Sequence, residues 1–325
     1  MRPIIFCNQG GLMIKEEFYF DSRDGENRIH AVRYTPDDGN VRGIVQIVHG
    51  MAEYVERYEN LAEFLTKRGI LVTGEDHLGH GKSVSEGGSF GYFCEQDPAT
   101  VVVRDVHRLK KITEEQYPQV PYIILGHSMG SFIVRNYLCR YGSGIDGAVI
   151  VGTGMQSSEL IFASKAMAGI QKLFCGSKHV SHFIDKAAFG GYNKRIDSPR
   201  TSSDWLSRNT DNVDRYIADE LCGFTFTVNG FQTLFELIRR LQKQENLEKV
   251  PQNLPILMVS GAEDPVGDYG KGVHKACDSL KRAGVKNIIV KLYENDRHEL
   301  LNEDDAETAM EDIWQWICKE VPGIV

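Results

Sequence analysis

The amino-acid sequence predicts an α/β protein: a mostly parallel sheet with helices on both faces and an inserted helical cap. Three observations predict it. Short, continuously apolar runs alternate with longer segments of helical spacing, the pattern of parallel strands buried on both faces. The alternation breaks once, between about Thr153 and Val250, where amphipathic helical stretches follow one another without a clear strand. Finally, Gly126-His127-Ser128-Met129-Gly130 sits directly behind an apolar run and ahead of a helical pattern, the setting of a sharp strand-to-helix turn.

Taken in order, Met1 to Leu12 lacks periodicity and reads as a disordered leader or an early assigned start, since Met13 opens the first strand-like pattern. Ile14–Phe20 and Arg28–Tyr34 are rich in aromatic and β-branched residues, and Asp21-Ser22-Arg23-Asp24-Gly25 between them is turn chemistry, so an antiparallel hairpin is expected. Strands are then expected at Gly43–Val48, Ile70–Glu75, Tyr122–Leu125, Gly147–Val151, Ile256–Ser260 and Lys286–Tyr293. Helices are expected at Tyr58–Arg68, Ala99–Glu115, Met129–Tyr141 and Ala306–Lys319. This divides the chain into a first core part (1–152), a helical cap (153–250) and a second core part (251–325). Within the cap, Leu160–Phe174 is apolar around most of its circumference, and Phe224–Leu241 carries Phe231, Leu234, Phe235, Leu237 and Ile238. These faces either pack on each other and on the sheet, or line an acyl-binding tunnel or touch a membrane.

Composition narrows the functional class. With 325 residues, 42% hydrophobic and 25% charged, the chain can bury a full core. A net charge of -8 without clustered Lys and Arg argues against nucleic acid as a partner. Seven scattered cysteines without a CxxC suit free thiols in a reducing cytoplasm. No apolar run approaches the ~18 residues of a spanning helix, so the expected location is cytoplasmic, with the membrane surface as a transient contact through the cap.

The chemistry gathers around Ser128. A serine needs a base to remove its proton, and the base needs a carboxylate to fix its tautomer. Gly261-Ala262-Glu263-Asp264-Pro265 and Glu294-Asn295-Asp296-Arg297-His298-Glu299 each follow a predicted strand, and loops at the carboxyl ends of parallel strands converge. His298 is the favoured base because it alone among the histidines lies between the last strand and the terminal helix. Asp264 is the favoured acid, with Glu263 as its competitor and Asp268 and Asp296 read as solvated loop residues. The order Ser128, Asp264, His298 is that of the α/β-hydrolases. Stabilising an oxyanion takes backbone donors; the amide after the nucleophile, Met129, is one, and Met51 in His49-Gly50-Met51 is the other. Asp76, His77 and His80 are read as shaping a glycine-rich turn rather than binding a metal. Glu53 and Arg57 have the spacing of an ion pair on one helical turn, propping the Met51 loop or, less favoured, touching substrate.

Together, His49-Gly50-Met51-Ala52-Glu53-Tyr54 with Arg57-Tyr58, Asp76-His77-Leu78-Gly79-His80-Gly81-Lys82-Ser83, Gly126-His127-Ser128-Met129-Gly130, Asp264 and Arg297-His298-Glu299 resemble the monoacylglycerol lipase and lysophospholipase family of α/β-hydrolases. The resemblance covers nearly the whole chain from Met13. It implies a serine hydrolase cleaving carboxylic esters of monoacylglycerols or lysophospholipids without metal or organic cofactor. It carries the nucleophile to Ser128, the acid to Asp264, the base to His298 and the oxyanion donors to Met51 and Met129. Ser131 departs from a glycine that many members have there. The other readings are a carboxylesterase or thioesterase for small soluble esters, and a non-catalytic receptor on the same fold.

Overall fold

In the computed structural model, residues 4–6 and 13–324 are described. The short strand β1 (Ile4–Phe6) pairs antiparallel with β2 (Met13–Asp21), which forms the hairpin with β3 (Arg28–Pro36). The expected leader therefore includes a paired segment, and the rest of it lies outside the described residues. β4 (Gly43–Val48), a 3₁₀ turn at Val55–Tyr58, α1 (Glu59–Thr66) and β5 (Ile70–Glu75) follow. Next come α2 (Pro98–Gln116), β6 (Tyr122–His127), α3 (Met129–Tyr141) and β7 (Gly147–Val151). The stretch between β7 and β8 (Ile256–Gly261) holds α4 (Ser158–Cys175), α5 (His182–Phe189), α6 (Thr210–Ala218), α7 (Val228–Leu241) and α8 (Gln244–Leu247). The chain closes with α9 (Lys271–Arg282), β9 (Ile288–Tyr293) and α10 (Ala306–Glu320).

The strands form one sheet in the order β1-β2-β3-β5-β4-β6-β7-β8-β9. β5 to β9 run parallel to their neighbours, while β3 joins β5 antiparallel and carries the hairpin at that edge. Successive side chains of the central strands enter opposite cores. Ile124, Ile150 and Met258 pack with α2, α3 and α9 residues such as Val106, Ile133 and Leu280, whereas Leu125, Val149 and Leu257 pack with Leu65 of α1 and Ile313 of α10. That two-sided burial is why these strands read as unbroken apolar runs.

Several boundaries differ from the sequence reading for local reasons. The first expected helix starts with a 3₁₀ turn, so its α-helical part begins at Glu59 rather than Tyr58. The segment Phe224–Leu241 becomes helical only at Val228, because the Thr227 hydroxyl caps the helix by accepting from the Gly230 amide. Helix α9 was not on the expected set, although Val273, Ala276, Cys277 and Leu280 form a buried stripe at helical spacing. The two apolar helices of the 153–250 stretch have opposite fates. In α7, Phe231, Leu234, Phe235, Leu237 and Ile238 are all buried, and the helix packs on α3 and α4. In α4, Ile161 and Ala168 are buried, but Leu160, Phe162, Ile170, Leu173 and Phe174 face outwards.

Candidate active site

Ser128 stands at the junction of β6 and α3 with φ 55° and ψ -120°, a conformation that costs a non-glycine residue ~1–3 kcal/mol. The flanking glycines make room for it. A Cβ on Gly126 would lie 2.5 Å from the Gly130 carbonyl oxygen, and one on Gly130 would lie 1.9 Å from that of Val48. Hydrogen bonds hold the turn: the Ser128 amide donates to Val151 at 3.0 Å, and its carbonyl accepts from the Ser131 amide at 2.9 Å and hydroxyl at 2.5 Å. The buried Ser131 hydroxyl also meets Thr153 Oγ1 at 2.8 Å. Serine in place of the glycine thus adds a brace to the turn and leaves α3 intact.

His298 and Asp264 meet in the loops after β9 and β8. Asp264 Oδ2 accepts from His298 Nδ1 at 3.0 Å and from Ser260 Oγ at 3.1 Å, while Oδ1 accepts from the Val266 amide at 2.8 Å. With the Asp264 carboxylate as acceptor, the His298 tautomer carries hydrogen on Nδ1 and directs Nε2 away from Asp264. Both side chains are buried. Gly152, at φ 58°, lies under the ring, where a Cβ would stand 3.1 Å from His298 Cε1. Glu263 instead is exposed and lines a polar cavity of about 170 Å³ with Tyr192, Arg195, Trp205, Tyr269 and Arg297. The Trp205 ring lies 5.2 Å from that of His298. Asp268 is exposed as expected. Asp296 is not the solvated loop residue expected: it is buried and paired with Arg208 at 2.7 Å. Burial raises its pKa to about 6, with Asp305 and Glu303 adding to the shift.

The loop His49-Gly50-Met51 faces Ser128 closely enough that a Cβ on Gly50 would come within 3.0 Å of Ser128 Cβ. Met129, the other expected donor, is the first residue of α3. Glu53 fixes the loop. Its Oε1 accepts from the Gly50 amide at 2.5 Å, Tyr58 Oη at 2.9 Å and His127 Nδ1 at 3.1 Å, and its Oε2 from Arg57 at 3.0 Å. The expected Glu53–Arg57 pair is therefore present, but Arg57 makes a second, bidentate pair with Glu299 at 2.7 Å through both nitrogens. Asn212 of α6 donates to the same Glu299 carboxylate at 2.7 Å. Burial opposes ionisation of Glu53 and Glu299, yet their hydrogen-bonded cationic partners pull both pKa values below the usual carboxylate range. Sequence reasoning assigns no role to Glu299 or His127; the only signal is that each adjoins a singled-out residue.

Hydrogen bonds hold the glycine-rich turn after β5. Asp76 accepts from His30 Nδ1 at 2.8 Å and from the Val55 and Lys82 amides at 2.9 Å each. His49 Nε2 accepts from the His77 amide at 3.0 Å, so its Nδ1 proton donates to the Gly50 carbonyl at 2.8 Å. His77 and His80 point to the carbonyls of His49 and Leu78. Burial depresses all three of these histidines, His80 to about 3.

The exposed apolar side chains of α4 include Leu173 at 81% and Phe174 at 80%, and Val180 and Phe183 beyond the helix are exposed as well. Among the described residues no helix is long and apolar enough to cross a membrane.

A doubly wound parallel sheet with a strained serine at a β6–α3 elbow defines a serine hydrolase of the α/β-hydrolase fold. The comparisons agree. The chain belongs to the family described as serine aminopeptidase, S33, whose model matches residues 39–305, and within it the chain resembles carboxylic ester hydrolases. It is 27% identical to monoglyceride lipase of Rattus norvegicus over 89% of this chain and 86% of the relative. It is also 27% identical to monoacylglycerol lipase of Mycolicibacterium smegmatis over 89% and 92%. Among solved structures, a highly thermostable carboxyl esterase from Bacillus coagulans, crystallised with glycerol, superposes with a TM-score of 0.88 at 31% identity, covering 96% of this chain and 99% of the other. The expected lipase and lysophospholipase family is thus the right one.

Proposed function

We propose that the protein hydrolyses carboxylic monoesters of the monoacylglycerol or lysophospholipid type through an acyl-enzyme. The observation that carries the reading is the Asp264–His298 hydrogen bond of 3.0 Å, which leaves His298 Nε2 as a base, together with the elbow at Ser128. In this mechanism His298 Nε2 takes the Ser128 proton as Oγ attacks the ester carbonyl. The oxyanion is held by the amides of Met51 and Met129, each donor worth ~10²–10³ in rate. The tetrahedral intermediate collapses, the alcohol leaves with the proton from His298, and a water activated by the same imidazole hydrolyses the acyl-Ser128 ester. Asp264 orients His298 throughout. Neither a metal nor an organic cofactor takes part.

The stretch 153–250 acts in this reading as a cap between two core parts, 1–152 and 251–325. The exposed face of α4 is its contact with a lipid surface, from which a single acyl chain is taken up by an otherwise cytoplasmic protein. The six cysteines among the described residues are free, which suits that compartment. A second reading, hydrolysis of small soluble esters, draws on the likeness to the carboxyl esterase. Steady-state hydrolysis of p-nitrophenyl esters from acetyl to palmitoyl, with monoacylglycerol and lysophosphatidylcholine as competitors, separates the two. Medium to long chains with lipid competition support the first, and an acetyl or butyryl optimum without competition overturns it.

A further inference from the structure

We infer that His127, the second residue of the serine motif, is a permanently charged imidazolium that locks the Gly50-Met51 loop to the backbone of His298, and so acts as a positioning residue for the proposed reaction. The inference rests on that reading only for its kinetic consequence; the charge state follows from hydrogen-bond accounting.

Glu53 receives four donors, from Gly50, Tyr58, His127 and Arg57. A carboxylate offers about four acceptor sites and no proton, so Glu53 is ionised and His127 Nδ1 must donate to it. The other ring nitrogen, Nε2, lies 3.1 Å from the carbonyl oxygen of His298, a group that can only accept. Both nitrogens therefore carry hydrogen, and the ring is cationic.

Charge balance requires the same. The buried cluster contains two carboxylates, Glu53 and Glu299, and the guanidinium of Arg57 between them. A neutral His127 would leave a net negative charge away from water, whereas a cationic one closes the cluster at zero. The remaining titratable groups facing the ring are Tyr58, at 6.2 Å between centroids, His298, at 4.7 Å, and His49, which burial keeps neutral. Against its own burial, Glu53 holds the His127 pKa above the ordinary histidine value.

The position of this cation matters more than its stability. One carboxylate oxygen of Glu53 takes both the His127 proton and the Gly50 amide, and the opposite edge of the imidazolium holds the His298 carbonyl. Asp264 fixes the His298 ring from one side while His127 fixes its backbone from the other. Two loops joined to β4 and β9, which are not neighbours in the sheet, are thereby held at one separation.

The test has a spectroscopic and a kinetic part. In the wild-type protein labelled with ¹⁵N-histidine, both His127 ring nitrogens should show protonated shifts at pH 8. A neutral tautomer of His127 at pH 8 in the folded protein overturns the inference whether or not the enzyme turns over esters. Kinetically, His127→Gln and Glu53→Gln should each lower kcat on p-nitrophenyl butyrate on the order of 10- to 100-fold with little change in KM, the scale of a misplaced reacting group. The double variant should be no slower than the slower single variant, because both break one clamp. Losses that multiply in the folded double variant refute the clamp; where a variant does not fold, the nitrogen shifts of the wild type decide.

Discussion

Arg57 grips Glu299 with both of its terminal nitrogens at 2.7 Å, joining residues 242 positions apart in the chain. This pair ties the turn before α1 to the loop that carries His298, and removing one half strands the other in a dry environment. Arg57→Ala should therefore destabilise the protein by ~3–5 kcal/mol, measured by urea denaturation. A loss below about 1 kcal/mol would mean that water or Asn212 replaces the guanidinium.

The same cluster sets an acid limit. Glu53 and Glu299 have depressed pKa values when folded, so the stability they contribute is fully present above the ordinary carboxylate range near 4.5 and is lost as pH falls through their folded values. The free energy of unfolding should decline below about pH 5. In Arg57→Ala that acid dependence should flatten, as isothermal denaturation at pH 3.5 to 7 would show.

Asp105 works in the opposite direction. It is buried against the Ser22 hydroxyl at 2.7 Å and the Arg23 amide at 2.6 Å, and burial raises its pKa to about 7. The folded state thus holds a proton that the unfolded state has lost, and stability falls as pH rises from about 4 to 7. Asp105→Asn should raise Tm at pH 8 and leave it unchanged at pH 4; equal Tm values at pH 8 would refute the assignment.

Ser128→Ala should abolish ester hydrolysis, by a factor on the order of 10⁶ where the serine is the nucleophile, without unfolding the protein. Ser128→Gly should do the same while raising stability by ~1 kcal/mol, because glycine adopts φ 55° without strain. Either variant turning over at the wild-type rate excludes Ser128 as the nucleophile.

Phe162, Leu173 and Phe174 are exposed on α4, so changing all three to Ser should alter stability by less than about 1.5 kcal/mol, on the usual ±0.5 kcal/mol per surface site. Vesicle co-sedimentation on phosphatidylcholine should fall in the triple variant, and hydrolysis of short soluble esters should not. Unchanged sedimentation would remove the lipid-surface reading of α4.

Legibility in the sequence followed the range of the interactions. Strands whose two faces are both buried announce themselves as apolar runs, and the close glycines around Ser128 announce an elbow, so β4 to β8 and the Asp264–His298 pairing were readable. What covers an apolar helix is not a local property. α4 and α7 looked alike, yet one packs on α3 and the other faces outwards. The His127–Glu53 and Arg57–Glu299 contacts were invisible for the same reason, since they depend on which loops the sheet brings together. Asp296 misled because a polar loop residue near a strand end gives no sign of the Arg208 that meets it.

Strands β7 and β8 are neighbours, with Val149 opposite Leu257, although the five helices α4 to α8 lie between them in the chain. The path leaves the sheet and re-enters it at adjacent slots. Closing such an excursion costs only ~0.6 kcal/mol more for each doubling of its length, so the stretch can be lengthened, shortened or exchanged wholesale without shifting the register of its neighbours. Selection can therefore vary this stretch while the strands on either side of it keep their pairing.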